Sequence, residues 1–247
     1  MRRKKETTKP LKLGRRPGDA IAGDVHLQIY ALLVSLSIVP KILQMLRVIA
    51  YIDGFNLYFG LKSQSWERFL WLDVQALSRN LLQPGQSLAH TKYFTSRVTR
   101  PPDKAKRQST YIDAVQTLAD TSIYFGKYQT NPHTCRNCGY VHNANSEKMT
   151  DVNIAVELLQ DAFQDAFDAA ILISADSDLV APIEAVKRLF PSKRVIVACP
   201  PGRFSQSLCK AAHAYLKIGH GSIEKSQFPE GVATPSGFVL LRPASWK

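Results

Sequence analysis

Cysteine is scarce in this sequence, which has four in 247 residues. Cys135 and Cys138 form one close pair, whereas Cys199 and Cys209 lie singly inside apolar segments. A small secreted domain held together by disulfides would need a denser, regularly spaced set of cysteines. The sequence therefore excludes a disulfide framework and favours a reducing, cytoplasmic environment.

The sequence also lacks a long hydrophobic run. Its longest apolar stretch, residues 29–39, is interrupted by serines and ends at Pro40, whereas a membrane-spanning helix needs about 20 apolar residues. The basic residues at positions 2–5 are separated from that stretch by mixed residues, and no small-residue cleavage site follows in the usual place. A signal peptide therefore fits poorly, and we expect a cytoplasmic protein with no membrane partner.

Acidic residues are fewer than basic ones, 20 against 32, and the formal net charge is +12. Half of that excess lies in residues 1–44, where nine Lys or Arg face three Asp or Glu. The rest of the chain is only mildly basic. Its charge is compatible with a polyanionic partner such as a nucleic acid, and equally with ordinary solubility.

Residues 1–44 differ from the rest, because they are basic, punctuated by Pro and Gly, and show no helical or strand period. We expect a poorly ordered extension there, with order beginning at Met45, which a strand-like stretch follows directly. One interpretation is that Met45 is the natural start; the rival is an arm that binds a membrane surface or a partner. The main domain is expected over 45–219, and 220–247, with three prolines and three glycines, as a loose C-terminal tail.

From Met45 onwards, β-branched runs alternate with helical patterns. This alternation predicts a mainly parallel sheet of Rossmann type with helices on both faces, a three-layer α/β/α sandwich. Helix 151–165 is expected to turn one apolar stripe towards the core, consisting of Val152, Ala155, Val156, Leu159 and Phe163. The predicted strands lie near 47–53, 91–97, 121–128, 169–175 and 194–199, and the predicted helices near 73–81, 102–119, 151–165, 178–190 and 204–212.

Carboxylates follow the predicted strands where ligands of parallel sheets bind. Asp53 and Asn56 come at the end of the first strand, Asp176 and Asp178 follow the fourth, and Asp151 opens the helix that leads into the fourth. Four carboxylates at one sheet edge would repel one another without a cation, and oxygen ligands suit Mg²⁺ or Mn²⁺. Each acid alone could instead cap a helix or organise a turn. Together they predict a divalent-metal site for phosphodiester hydrolysis.

Three motifs contain these acids: Tyr51-Ile52-Asp53-Gly54-Phe55-Asn56-Leu57-Tyr58, Glu147-Lys148-Met149-Thr150-Asp151-Val152-Asn153-Ile154-Ala155 and Ser174-Ala175-Asp176-Ser177-Asp178-Leu179. Read together, they resemble the NYN domain family, in its LabA-like branch. The resemblance covers nearly everything from Met45 onwards and leaves residues 1–44 outside. It implies a PIN-like fold and metal-dependent endoribonuclease activity on RNA, with Asp53, Asp151, Asp176 and Asp178 matching the acidic positions of the family.

A loop at residues 129–147 carries a second set of metal-binding residue types. Cys135 and Cys138 have the Cys-x-x-Cys-Gly spacing of a zinc knuckle, and His133 and His142 flank them. A compact zinc ribbon would have a second Cys-x-x-Cys, so the two histidines would have to complete the site. The alternatives are a reduced surface loop or a redox pair.

Basic residues near the predicted strand ends are candidates for binding RNA phosphates. Lys148 lies three residues before Asp151, and Arg203 belongs to the Pro-Pro-Gly-Arg loop after the fifth strand. A further basic stretch could track an RNA backbone or could simply be a solvated helix start. It consists of Arg97, Arg100, Lys104, Lys106 and Arg107.

Two other functions remain open at this point. One is an RNA-binding or regulatory module of the same fold that does not cut, and the other is a phosphatase with Asp53 as nucleophile. The phosphatase reading is weaker, because a haloacid-dehalogenase-like enzyme would place a second aspartate where Phe55 stands. The sequence leaves the oligomeric state open, a homo-oligomer included.

Overall fold

The computed structural model describes residues 45–246, and within that range it describes 128–134 and 142–147 by their backbone alone. The expectations for residues 1–44, including a start at Met45, lie outside the described residues. The strands are β1 (Leu46–Asp53), β2 (Gln86–Thr95), β3 (Thr121–Phe125), β4 (Lys127–Thr134), β5 (Val141–Lys148), β6 (Ala169–Ile173), β7 (Arg194–Cys199), β8 (Ala214–Lys217), β9 (Gly231–Ala233) and β10 (Val239–Leu241). The α-helices are α1 (Gly54–Ser63), α2 (Val74–Asn80), α3 (Pro102–Val115), α4 (Thr150–Phe163), α5 (Val180–Leu189), α6 (Gln206–Ala211) and α7 (His220–Glu224).

Six strands form one parallel sheet in the order β3-β2-β1-β6-β7-β8. The chain adds β2 and β3 on one side of β1, and from β6 onwards it adds strands on the other side. The strand order therefore reverses between β1 and β6. Ligands of open α/β sheets bind at such a reversal, beyond the carboxyl ends of the strands, which is where Asp53 and Asp176 stand.

Helices cover both faces of the sheet, as the alternation predicted. On β1, Val48 and Ile52 belong to one buried cluster and Ile49 and Tyr51 to the other, because successive side chains of a strand point to opposite faces. Helices α1, α2 and α3 contribute to the first cluster, and helices α4, α5 and α6 to the second. The predicted three-layer α/β/α sandwich is confirmed.

The predicted core stripe of helix α4 was wrong. Ile154, Leu158 and Ala162 are buried, whereas Val156 is 53% exposed and Phe163 is 79% exposed. The helix carries apolar residues on both sides, so spacing alone did not decide which side faces the sheet. Asp161 lies on the buried side because it pairs there with Lys92.

Because one side of helix α4 is buried and the other is exposed, truncating a side chain on each side should lower the free energy of unfolding by different amounts. Leu158→Ala should lower the free energy of unfolding by about 2–5 kcal/mol, because it leaves a cavity in the core, whereas Phe163→Ala should change it by less than about 0.5 kcal/mol. Urea denaturation of the two variants measures the difference. Equal losses would contradict the assignment.

The expected loose tail at 220–247 was also wrong for its described residues, 220–246. Phe228, Leu240 and Trp246 are buried in the same cluster as helices α1 to α3. The Phe228 amide donates to the Trp71 carbonyl at 3.0 Å, and the Trp71 indole donates to the Pro229 carbonyl at 2.7 Å. Proline and glycine indicated loops correctly, but the apolar residues between those loops pack against the domain.

Two more elements differ from the sequence prediction. Gly54 begins helix α1, where only a turn was expected. Residues 127–148 form the antiparallel hairpin β4–β5, where a loop was expected over 129–147.

Of the helices in the described part of the chain, none is both long enough and apolar enough to span a bilayer.

Candidate active site

Asp53 ends strand β1 and caps helix α1, and it is only 3% exposed. Its Oδ1 accepts the Asn56 backbone N–H at 2.9 Å, and its Oδ2 accepts the Asn56 amide at 2.6 Å and the Ser174 hydroxyl at 3.0 Å. Burial raises the pKa of Asp53, and the charge of Asp176 adds to that rise, while the three hydrogen bonds oppose it. Asp53 is thus a rigidly held, buried carboxylate.

Asn56 holds Asp53 through its amide nitrogen and has one unused acceptor. Its Oδ1 is buried and has no hydrogen-bond partner among the described residues. Leaving a buried polar oxygen without a partner costs about 1–3 kcal/mol. A hydrogen-bond donor or a cation next to Asp53 would remove this cost by binding to Asn56 Oδ1.

Ser174 connects the ends of strands β1 and β6, and sequence reasoning missed it. It is fully buried, donates to Asp53, and accepts the Asp176 backbone N–H at 3.1 Å. A serine bonded to the N–H two residues later makes a local turn. The only signal in the sequence was a small hydroxyl residue directly after an apolar strand and two residues before an aspartate.

Asp176 and Asp178 follow that turn on a short 3₁₀ helix, Ser177–Leu179. Asp176 is half-buried and its Oδ1 accepts the Asp178 backbone N–H at 3.0 Å, so it caps this helix. Asp178 is exposed. The capping role considered for Asp176 is therefore real, and its second oxygen and its charge remain available to the site.

Asp151 lies in the first turn of helix α4 and is half-buried. Burial, followed by the charges of Asp176, Asp53 and Asp178, raises its pKa to about 6. The four predicted carboxylates therefore lie close enough to influence one another. Among the described residues, however, no three His, Cys, Asp or Glu side chains lie close enough together to hold a metal ion as they stand.

The raised pKa of Asp151 predicts a specific pH dependence of stability. A carboxyl whose pKa is higher in the folded than in the unfolded protein binds more protons when folded, so stability falls as pH rises from about 4 through about 6. In EDTA, Asp151→Asn should remove that loss of stability. At pH 7.5 the free energy of unfolding of the variant should exceed that of the wild type by about 1 kcal/mol, after allowance for solvent screening.

Urea denaturation at acidic and neutral pH measures this effect, with Asp103→Asn, an exposed acid on helix α3, as the matched control. The control should keep the pH dependence of the wild type. If Asp151→Asn keeps it as well, the four charges do not act on one another as described.

The two predicted phosphate-binding residues lie in different surroundings. Lys148 is exposed at the end of strand β5, three residues before Asp151. Arg203 is exposed, and its Cδ lies 3.5 Å from the position that a Cβ on Gly60 would take. The structure thus places Arg203 against the second half of helix α1, and places Lys148 next to the start of helix α4.

The Cys-x-x-Cys pair lies at the tip of hairpin β4–β5. Cys135 is partly exposed and Cys138 exposed, and backbone N–H groups of Asn137 and Cys138 lower the pKa of the Cys135 thiol. Gly139 follows with a positive φ of 67°, which glycine adopts without strain. The register pairs His133 with His142 across the hairpin, and the side chains of both histidines lie outside the described ones.

Comparison with known proteins adds three findings. The family described as "NYN domain" matches residues 47–219. The 6-hydroxy-3-succinoylpyridine 3-monooxygenase HspA of Pseudomonas putida is 28% identical over 243 residues, which covers 81% of this chain and 75% of that protein. A solved structure, a protein of unknown function from Vibrio parahaemolyticus, is 16% identical with a TM-score of 0.46, covering 72% of this chain and 95% of that one.

Proposed function

The chain belongs to the NYN domain family, and from that premise we propose that it is a divalent-metal-dependent endoribonuclease. The family has a PIN-like nuclease fold, and the six-stranded parallel sheet with helices on both faces is consistent with it. The assignment of this chain to the LabA-like branch of the family stays a prediction.

The observation that carries this proposal is the placement of Asp53, Asp151, Asp176 and Asp178 at one edge of the sheet, where the strand order reverses. Burial, followed by the charges of Asp176, Asp53 and Asp178, raises the pKa of Asp151 there. Within the described residues, none of the four forms an ion pair with a Lys or Arg side chain. A concentration of negative charge without basic partners is typical of a cation site.

The donor chemistry of this edge fits Mg²⁺ or Mn²⁺. Carboxylate and amide oxygens are the ligands these ions prefer, and the buried Asn56 Oδ1 has no partner among the described residues. The four aspartates would hold the cation, with Asn56 beside them. When bound, such an ion polarises a phosphodiester oxygen and lowers the pKa of an attacking water.

The chain's own residues would position the reacting groups. Asn56 and Ser174 fix the orientation of Asp53 through three hydrogen bonds. A cation bound there would offset the negative charges that, together with burial, raise the pKa of Asp151 in the metal-free protein. We propose that Lys148 and Arg203 contact RNA phosphates. Lys148 would do so next to Asp151, and Arg203 next to the second half of helix α1, against which it lies.

Cleavage of RNA by the full-length protein tests this proposal. Single-stranded and structured RNAs are incubated with Mg²⁺, Mn²⁺ or EDTA, and the products are separated by gel electrophoresis. Cutting in the presence of either metal and none in EDTA supports the nuclease. A folded protein that binds RNA but does not cut it would identify the alternative, a non-cleaving regulatory module.

We also propose a structural zinc ion in the hairpin, held by His133, Cys135, Cys138 and His142. The backbone N–H groups that lower the pKa of Cys135 favour the thiolate, which is the form that binds metal. The purified protein should contain about one zinc ion per chain, and the double variant Cys135→Ser/Cys138→Ser should contain none. Elemental analysis measures both, and a zinc-free wild type would contradict the site.

A second candidate function is oxygenation of a small aromatic compound. The observation in its favour is the relative that covers 81% of this chain and is named a monooxygenase of 6-hydroxy-3-succinoylpyridine. Such a reaction puts one atom of O₂ on the ring and reduces the other to water, so it needs an electron donor. Incubation of the protein with that compound, O₂ and NADH, followed by mass spectrometry, tests it. An unchanged substrate excludes this candidate for that compound and donor.

A further inference from the structure

A cavity of about 220 Å³ lies between helices α1 and α3, next to the end of strand β2. Gly54, the residue after Asp53, forms part of its wall. A Cβ on Gly54 would lie 2.6 Å from the Tyr93 ring, so only glycine lets helix α1 approach strand β2 this closely. The cavity is therefore built beside the carboxylates but is separate from them.

Aromatic rings form much of the wall of this cavity. Tyr111 packs edge-on against Tyr93 and Trp246, with ring centroids 6.2 and 6.0 Å apart. The C-terminal segment thus helps to close the cavity, through a tryptophan that is only 7% exposed. Flat, rigid walls of this kind favour a planar ligand. The aromatic lining residues are Phe55, Tyr58, Phe59, Tyr93, Tyr111 and Trp246.

Several polar groups of the wall already have partners within the chain. The Tyr111 hydroxyl donates to the Leu72 carbonyl at 2.9 Å. The Gln108 side chain accepts the Val98 backbone N–H at 2.7 Å and donates to the Ser96 carbonyl at 2.8 Å. These groups hold the wall together and have less capacity left to bind a ligand.

The charged groups of the wall are all cations, in contrast to the carboxylate edge. In the described part of the chain, no Asp or Glu lines the cavity, and none of its four cations is ion-paired. Four basic side chains around an apolar cavity leave positive charge that an anionic ligand would neutralise. The cations are Lys62, Arg100, Lys104 and Arg107.

We propose that this cavity binds a small planar aromatic ring that carries an anionic group. The ring would lie against the tyrosines and Trp246, and Lys104 and Arg107 of helix α3 would contact the anion. The volume is below the roughly 300–1,000 Å³ of drug-sized sites, so it suits a single small ring system with a short anionic arm. A nucleotide and a free aromatic acid share this chemistry, and the inference does not depend on RNA cleavage.

Calorimetric titration of the full-length protein in EDTA tests the proposal without involving cleavage. The ligands are AMP and benzoate, their neutral counterparts adenosine and benzamide, and the ringless anions phosphate and acetate. The test variant is Lys104→Gln/Arg107→Gln. Its control is Arg188→Gln, an exposed arginine of helix α5 that does not line the cavity. Circular dichroism establishes that both variants are folded.

We expect AMP, benzoate or both to bind more tightly than their neutral and ringless counterparts. The double variant should weaken that binding at least about tenfold, the loss expected for one charge-assisted hydrogen bond, and the control should match the wild type. AMP alone would identify the source as a nucleotide, and benzoate alone as a free acid. The proposal would be overturned if neither AMP nor benzoate binds, or if the neutral or ringless compounds bind equally well. It would also be overturned if the double variant binds as tightly as the wild type.

Discussion

Replacing Asp176 with asparagine is expected to slow metal-dependent RNA cleavage at least about 100-fold while leaving the fold intact. Asp176 caps the short helix that follows it through Oδ1, and asparagine caps helices as well as aspartate does. The substitution therefore removes a negative charge from the site but keeps the local structure. Bound cations contribute several kcal/mol to such reactions, and each 1.36 kcal/mol corresponds to about a factor of ten in rate.

The rate is measured on a single-stranded RNA with Mn²⁺ in excess. Glu184→Gln is the matched control, because Glu184 is an exposed carboxylate on helix α5, the helix after Asp178. That variant should cut at the wild-type rate. If Asp176→Asn also cuts at the wild-type rate, the charge of Asp176 has no part in catalysis.

Replacing Lys92 with alanine is expected to lower the free energy of unfolding by about 3–5 kcal/mol. Lys92 is 7% exposed and lies 2.7 Å from Glu157 and 2.6 Å from Asp161. Asp161 also accepts the Tyr51 hydroxyl at 2.5 Å. Burial lowers the pKa of Lys92, but the hydrogen bonds to Asp161 and Glu157 and the charge of Asp161 outweigh that effect, so the pKa is raised. Removing the lysine leaves the buried Asp161 without its cation, which is why the cost is high.

Urea denaturation measures this loss, with Lys106→Ala as an exposed control expected to change stability by less than about 0.5 kcal/mol. The triple variant Tyr51→Phe/Lys92→Met/Asp161→Leu should be more stable than Lys92→Ala, because it leaves neither the Asp161 charge nor the Tyr51 hydroxyl buried without a partner. A loss below about 1 kcal/mol for Lys92→Ala would show that this buried ion pair does not hold helix α4 to the sheet.

The sheet and the position of the four carboxylates could be predicted because both depend on local patterns. Apolar runs alternate with helical periods, and Asp53 and Asp176 follow their strands directly in the sequence. The parallel arrangement then places the two strand ends at one edge, whatever the details of packing. The family resemblance added the expectation of RNA as substrate.

The remaining features depend on residues far apart in the sequence. Helix α4 turns Asp161 inwards because Lys92, on strand β2, pairs with it, and no period within the helix reports that partner. Likewise, the cavity requires Gly54, Tyr111 and Trp246 from three separate segments to meet. The prolines and glycines near Trp246 indicate a loose tail, and nothing in that local sequence reports the distant Tyr111 ring against which Trp246 packs.

Binding of Mn²⁺ to the full-length protein tests the central claim most directly, because it detects the cation at the carboxylates without any RNA. Electron paramagnetic resonance distinguishes bound from free Mn²⁺, for the wild type and for Asp176→Asn side by side. We predict that the wild type binds Mn²⁺ and that the variant binds it much more weakly. A folded wild type that leaves Mn²⁺ free, or a variant that binds it equally well, would contradict a metal site built by these aspartates.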